Sequence, residues 1–308
     1  MAGRETIHDR ASGLWIIHNP VAGRRKRNHL RQVIERLRAD GHALEERESA
    51  RPGHTAQLAA EARRAGAGIV IAAGGDGTLS EVVDGLLTGA RAGAPLPRVA
   101  VLPLGTANVV ATDLAISKKS TAFAAMIAEG SVLRIWPVRA GKRWFVAMAG
   151  AGFDAHVVSH TDPVSKRRFS KAAYVWRAML VWRRGWRWRY RVTVDGAAYD
   201  CASVIVANGP RYGGRFVLAP EAGLDQKGVH VLLFGQGGRL SLLKYAVALL
   251  TGHLPRLGDV RTVPGRRVEI AGRAGEPLQG DGDIIGELPV TINVGDRAID
   301  FIVPARTG

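Results

Sequence analysis

Cysteine is almost absent from this 308-residue chain: Cys201 stands alone, which excludes a disulfide framework and a cysteine-rich zinc site. No apolar run reaches the ~18 residues that a membrane-crossing helix needs. The opening residues, MAGRETIHDR, hold no apolar core of a secretory leader, so the expected compartment is the cytoplasm. Acidic residues are scarce as well. Asp and Glu number 27 against 43 Lys and Arg, a formal net charge of +16. That excess attracts a polyanion (nucleic acid, anionic lipid or a phosphorylated substrate), or it is arginine decorating solvated faces; composition leaves both open. The remainder is that of a folded protein, 46% hydrophobic and 23% charged, long enough for one large or two ordinary domains with real cores.

The first part of the chain alternates apolar runs with helical patterns. Leu14-Trp15-Ile16-Ile17 is a short buried strand, followed by a loop and an amphipathic stretch with Leu30, Val33, Ile34 and Leu37 at helical spacing, closed by Gly41. A second helix over Thr55 to Ala65 leads into Ile69-Val70-Ile71-Ala72, continuous and β-branched as in a parallel strand covered on both faces. A third strand, Val99 to Leu102, follows a Gly/Pro-rich segment. Strand, loop and helix in repetition predict a doubly wound α/β layer. After about Arg134 short strands dominate: Trp144 to Met148, Tyr190 to Val194, Ser203 to Val206, Val229 to Phe234, Val268 to Ile270 and Val290 to Val294. Turns containing Gly and Pro separate them, which predicts an antiparallel sheet or sandwich, interrupted by helices over Ala172 to Trp182 and Leu240 to Leu250.

Between the second strand and the next helix stands AAGGDGTLSE, residues 72–81. Thr78 and Glu81 have the spacing of a capping box, and Leu79, Val82, Val83, Leu86 and Leu87 give the helix one apolar face, with Gly89 to close it. The loop is therefore directed at a helix N-terminus at the carboxyl end of a parallel strand, where free N–H groups and the helix dipole favour phosphate. Asp76 would repel a bare phosphate; it makes sense beside a Mg²⁺ or as an acceptor for a nucleotide hydroxyl or amine. The bland alternative is a glycine-rich turn with a capping acid. It is no Walker A loop, since no Gly-Lys-Ser/Thr follows. Gly150-Ala151-Gly152-Phe153-Asp154-Ala155 mimics a dinucleotide fingerprint but falls in the antiparallel half, and reads as a decoy. Two further loops, Asn19-Pro20-Val21-Ala22-Gly23 running into Arg24-Arg25-Lys26-Arg27, and Pro103-Leu104-Gly105-Thr106-Ala107-Asn108, occupy the same place after their strands. Three small-residue loops at one edge of an open α/β sheet make a ligand site.

N-P-x-A-G, G-G-D-G-T-L-x-E-V-x-x-G-L and L-P-L-G-T-A-N together resemble the catalytic domain of diacylglycerol and sphingosine kinases, the bacterial soluble lipid kinases most of all. The resemblance continues through Gly152-Phe153-Asp154-Ala155, Ala207-Asn208-Gly209-Pro210-Arg211-Tyr212-Gly213-Gly214, Ala219-Pro220-Glu221-Ala222 and Gln279-Gly280-Asp281-Gly282-Asp283, covering about Trp15 to Pro304. It implies an α/β nucleotide-binding domain over 12–133, of the NAD-kinase and diacylglycerol-kinase type, rejoined by a last strand within 298–304. The second domain, 134–297, would be β-rich, sandwich-like and the holder of the lipid substrate. ATP would lie in the cleft, its phosphates held by Gly74, Gly75, Asp76, Gly77 and Thr78. Leu79, Ser80 and Glu81 of the same motif, Asn19 and Gly23, and Gly105, Thr106 and Asn108 complete that set, and Ser49 stands where the family has a nucleotide-contacting threonine. The implied catalytic aspartate, taking the proton from the lipid hydroxyl, is Asp281, with Asp283 in place of the family's glutamate. Taken alone, Gly280-Asp281-Gly282-Asp283 reads as a turn.

The implied activity is ATP- and Mg²⁺-dependent phosphorylation of a lipid hydroxyl, diacylglycerol-like or sphingoid-like. The alternatives are an NAD kinase-like enzyme and an inactive lipid- or polyanion-binding relative. Trp176, Trp182, Trp186 and Trp188 lie among arginines, a combination suited to headgroup depth or, on the bland reading, to a core-facing helix and strand with a solvated basic face. The expected partners are thus the lipid and an anionic membrane surface on the cytoplasmic side, with no nucleic acid and a homodimer left open. One departure stands out. Family members carry acids around a structural Mg²⁺ at positions held here by Val109, Trp136 and Lys227, so that ion is expected to be missing, and Asp76 is left as the acid near Mg·ATP.

Overall fold

A computed structural model describes residues 13–20, 26–159 and 189–305. In chain order they form β1 (Leu14–His18), α1 (Arg27–Ala39), β2 (Leu44–Glu48), α2 (His54–Arg64), β3 (Ile69–Gly74), α3 (Asp76–Leu87), β4 (Arg98–Pro103), α4 (Val109–Asp113), α5 (Ser120–Glu129) and β5 (Ser131–Ile135). Next come β6 (Val138–Ala140), β7 (Arg143–Phe145), β8 (Met148–Ala151), α6 (Phe153–Ser159), β9 (Tyr190–Val194), β10 (Ala197–Cys201), β11 (Ser203–Ala207), β12 (Arg211–Tyr212) and β13 (Phe216–Val217). The remainder is β14 (Val229–Phe234), α7 (Arg239–Leu250), β15 (Val260–Gly265), β16 (Arg267–Ala271), β17 (Pro277–Gly280), β18 (Asp283–Glu287), β19 (Val290–Val294) and β20 (Ile299–Val303). The chain divides into two compact units, the first ending at Ile135 and resuming at Ala298, the second running from Trp136 to Arg297.

The first unit is an α/β layer with strand order β2-β1-β3-β4-β20-β5. β1, β2, β3, β4 and β20 are mutually parallel, and β5 closes the edge antiparallel to β20. β1 is buried along its whole length and β3 from its second residue onward, which explains their unbroken apolar sequences. In α1 the helical stripe Leu30, Val33, Ile34 and Leu37 is buried; Asp40 caps the helix, and Gly41 takes the left-handed turn after it (φ 85°). β2, Leu-Glu-Glu-Arg-Glu, escapes a pattern search because it is a charged edge strand, held by backbone pairing to β1.

One local expectation is overturned. α3 starts at Asp76, with Gly75 as an extended N-cap and no side-chain cap, so Thr78 is already inside the helix. Glu81 does not reach back to Thr78. Its Oε1 accepts from the Gly53 N–H at 3.2 Å, where α2 begins. The chain turns at Gly75, and a carboxylate in the first helical turn suits the dipole there, so the helix forms without the box.

The second unit is a β-sandwich of two antiparallel six-stranded sheets, β10-β9-β16-β19-β6-β7 and β15-β14-β11-β8-β17-β18. Their inner faces share a core that includes Phe145, Val192, Val204, Val206, Val231, Val268, Ile270, Leu278 and Ile292. β11 is buried on both faces: its odd-numbered partner Ile205 joins a second core with Leu232, Phe234, Tyr245, Ala248 and Leu254, built under α7. The expected strand over Trp144 to Met148 is in fact two strands in different sheets. β7 ends at Phe145 and β8 starts at Met148, and the amides at the crossover bond to side chains instead of to a neighbouring strand. The helix expected over Ala172 to Trp182 lies outside the described residues. No described helix is long and apolar enough to cross a membrane.

Candidate functional site

In the first unit the loops after β3 and β4 are stitched together. The N–H groups of Leu104 and Gly105 both donate to the Gly74 carbonyl, at 2.8 and 3.0 Å. Gly75 and Gly105 meet backbone to backbone: a Cβ on Gly105 would sit 2.4 Å from the Gly75 Cα. A Cβ on Gly74 would strike the Thr78 side chain at 2.3 Å. The glycines therefore serve the close approach of two loops, which brings Gly74, Gly75 and Asp76 beside Gly105 and Asn108. Asp76 Oδ1 accepts from the Val110 N–H at 3.3 Å, and Asn108, left-handed at φ 49°, donates from Nδ2 to the Gly105 carbonyl at 2.8 Å. Its buried Oδ1 finds no donor among the described residues.

Lys26 joins this cluster, a residue that the basic run at 24–27 did not single out. Its ammonium donates to the carbonyls of Pro103 and Gly105 at 3.1 and 3.3 Å. Burial, and then the charge of Lys118, hold it below the usual lysine range. A half-desolvated cation beside a second cation, at the N-terminal end of α3, is a place an anion would stabilise. The chemistry of these groups fits a nucleotide phosphate.

The remaining nucleotide candidates are less uniform. Asn19 follows β1 directly, and Ser49, buried, donates its N–H to the His18 carbonyl at 2.9 Å, so it lies at the carboxyl end of β1. Thr106 is exposed on the β4 loop, and Gly77 is half-buried in the first turn of α3. Thr78, Leu79 and Ser80 are buried in α3, Leu79 in the hydrophobic core, and Glu81 is engaged with Gly53. Gly23 and all four tryptophans, Trp176, Trp182, Trp186 and Trp188, lie outside the described residues.

In the second unit Asp281 is held tightly. Its Oδ2 accepts from Val146 N at 2.7 Å and its Oδ1 from Ala147 N and Met148 N at 2.8 and 3.0 Å, while its own N–H donates to the Met148 carbonyl. The residue is left-handed (φ 50°) and buried. The carboxylate thus caps the amides freed where the chain crosses from β7 to β8. Asn208 serves the same crossover, donating to the carbonyls of Trp136 and Val146. Asp283 opens β18 and is exposed.

Beside the Asp281 turn lies a network that sequence reasoning did not assign to a site. Tyr212 Oη donates to Asp154 Oδ1 at 2.5 Å, Gln279 Nε2 donates to Asp154 Oδ2 at 2.6 Å, and Gln279 Oε1 accepts from Gly282 N at 3.1 Å. The signal was present, since Asp154, Tyr212 and Gln279 each fall in one of the ordered motifs. The Gly150 to Ala155 run lies in the antiparallel half as expected: β8 pairs antiparallel with both β11 and β17.

Val109, Trp136 and Lys227, the residues expected at a structural Mg²⁺, offer no side-chain oxygen to a hard cation. Lys227 Nζ lies over the Trp136 ring, 4.6 Å from its centroid, and Val109 presents buried hydrocarbon. An ammonium on an indole face supplies a positive charge and no oxygen ligand.

Residues 13–139 match the diacylglycerol kinase catalytic domain, and residues 147–303 match the YegS C-terminal NAD kinase beta sandwich-like domain. The chain belongs to this family. A probable lipid kinase YegS-like protein of Chromohalobacter salexigens is 30% identical over 272 residues, spanning 87% of this chain and 86% of the relative. One from Enterobacter sp. (strain 638) is 28% identical, over 86% and 90%. A crystal structure of a diacylglycerol kinase from Bacillus anthracis str. Sterne superposes with a TM-score of 0.76, covering 95% of this chain and 97% of that one at 21% identity, which shows the shared fold. The family's α/β domain and β-rich sandwich are the two units described above.

Proposed function

We propose that the chain is an ATP-dependent lipid kinase that transfers the γ-phosphoryl group to the hydroxyl of a diacylglycerol-like or sphingoid-like lipid. The family supports the reaction class. The observation that carries the nucleotide part is the joining of the β3 and β4 loops at the α3 N-terminus, with the Lys26 ammonium bonded to the second loop. In this reading Gly74 to Thr78 and Lys26 would bind the phosphates, Asn108 Oδ1 would accept from the nucleotide, and Asp76 would help hold the magnesium that accompanies ATP. That ion would supply charge neutralisation on the transferring phosphoryl group. Phosphoryl transfer runs mainly on positioning and charge stabilisation, and in a loose transition state the acceptor hydroxyl gives up its proton late. Asp281, oriented by three N–H donors, then has to orient that hydroxyl and receive its proton rather than act as a strong base. Asp283 and the Asp154–Gln279 network steady the turn that carries it.

The tightly used carboxylate also favours a second reading, an inactive lipid-binding relative in which Asp281 only caps the β7–β8 crossover. Asp195 shows that such a role exists in this fold, since its carboxylate accepts from the N–H groups of Arg266 and Arg267. Wild-type turnover on lipid separates the two, since an inactive relative shows none, and an Asp281→Asn variant then tests the aspartate. As the catalytic acceptor, its loss lowers turnover by about 10²-fold or more with nucleotide affinity nearly unchanged. Turnover within about threefold of wild type would remove Asp281 from the chemistry. Asp76→Ala should weaken Mg·ATP binding and turnover together; wild-type nucleotide affinity there would remove Asp76 from the site.

A further inference from the structure

Helix α7 is apolar on both faces, and only one of them is used. Tyr245 and Ala248 are buried against Phe234, Leu254 and their neighbours, with Tyr245 and Phe234 edge to face at 5.0 Å. The opposite face carries Leu240 (83% exposed), Leu243 (55%), Val247 (51%) and Leu250 (64%). At 100° per residue these four fall within an arc of about 80°, a continuous stripe along three turns. They are four of the seven large apolar side chains exposed among the described residues, gathered on one twelve-residue helix. Scattered exposed leucines need no explanation, but a stripe of this kind does.

The charges beside the stripe say what covers it. Arg239 lies at one edge in helical projection and Lys244, ion-paired with Asp259, at the other, and residues 235–259 hold Arg239, Lys244 and Arg256 against that single acid, an excess of positive charge. A second copy of the same helix would bring its own arginine and lysine against these, with no acid on either helix to meet them. A surface of anionic headgroups over hydrocarbon matches both features, since the leucines enter the acyl boundary while the cations meet phosphate. Asp259 fixes the helix from beneath: it accepts from Lys244 Nζ at 2.5 Å and from Tyr245 Oη at 2.6 Å.

We infer that the outer face of α7 is a docking surface for an anionic lipid bilayer, lying in the interface plane with Leu240, Leu243, Val247 and Leu250 inserted. The inference draws on the lipid-kinase reading for its motive, because a substrate dissolved in the bilayer must be reached there. Its physical basis, the stripe and its flanking cations, is independent of catalysis.

Flotation with vesicles of phosphatidylcholine alone, or phosphatidylcholine mixed with phosphatidylglycerol, tests it on the full chain. The wild type should bind the mixed vesicles better than the neutral ones. Leu243→Glu with Val247→Glu, both exposed and so compatible with folding, should weaken binding at least about tenfold without lowering the melting midpoint. The milder Leu240→Ser with Leu250→Ser should fall between. Overturning results are equal binding by wild type and the glutamate variant, no vesicle binding by the wild type, or a wild-type dimer that the glutamate variant dissociates while vesicle binding persists. Turnover on a short-chain lipid below its micelle concentration keeps the two proposals apart. Unchanged turnover with lost vesicle binding supports docking by α7. Vesicle binding that depends on the stripe, in a protein that phosphorylates no lipid, leaves docking standing and defeats the kinase reading.

Discussion

Lys26 is the residue on which the proposed phosphate site depends most visibly. Its ammonium is partly buried against two carbonyls with Lys118 adding repulsion, so folding penalises its charged form and an incoming anion relieves that penalty. Lys26→Met should therefore weaken ATP binding about tenfold by titration calorimetry, while the apo protein melts no lower than wild type. Unchanged affinity would place the phosphates elsewhere. The sign of the pH effect follows from the lowered value: the charge penalty is fully present at neutral pH and is relieved only as alkali deprotonates the amine. Cys201 supplies a second check at this scale. Burial first, and then the nearby charge of Asp200, push its thiol up to about 12 despite the Ser203 amide, so almost no thiolate exists at neutral pH. A disulfide-exchange reagent should leave it unmodified in the native protein and label it after denaturation. Asp76 and Asn108 could be named as candidates from the sequence because small-residue loops after parallel strands announce a candidate site, and the structure brings those two loops together. Lys26 could not be named, since a basic run beside a helix start reads as solvated surface until the tertiary path returns it to the β4 loop.

Among the elements, those with strong internal periodicity were readable, and those made by distant partners were not. α1 follows from its apolar stripe, and β14 and β19 from alternation or apolar runs between turns. β2 failed because its glutamates carry no pattern, and the capping box failed because Glu81 had a better use 28 residues away at Gly53. The break between β7 and β8 was invisible, since its cause is Asp281, more than 130 residues further along. α7 was readable as a helix, but the partner that secures it was not. Burial raises the Asp259 carboxyl, and the hydrogen bonds from Lys244 and Tyr245 outweigh this and hold it below its ordinary value. Its stabilising contribution is present above the unfolded value, near pH 4, and is lost as pH falls through the lowered folded one. Asp259→Asn should cost about 1 kcal/mol and raise amide exchange in α7 above all other described helices. Equal exchange in wild type and variant would show that packing of Tyr245 and Ala248 alone secures the helix.

At the scale of the whole molecule, the ordered motifs made the two-layer architecture legible: a parallel sheet needs loops at one edge, and antiparallel strands with Gly/Pro turns need a sandwich partner. The residues expected to replace acids of the family have a physical arrangement of their own. Trp136 and Lys227 stack on each other, so the second unit is held at that point by a cation–π contact. Magnesium without nucleotide should therefore leave the melting midpoint unchanged; a midpoint that rises, or metal retained in stoichiometric amount after desalting, would contradict this. Of the net charge of +16, the two proposals use Lys26 at the β4 loop and the cations flanking the α7 stripe. The central claim, phosphoryl transfer from ATP to a lipid hydroxyl, is tested most directly by incubating the protein with γ-labelled ATP, magnesium and a total lipid extract, then separating the organic phase. The account predicts label in a chloroform-soluble phosphomonoester that disappears with Asp281→Asn; label confined to the aqueous phase, with or without the lipid, would contradict it.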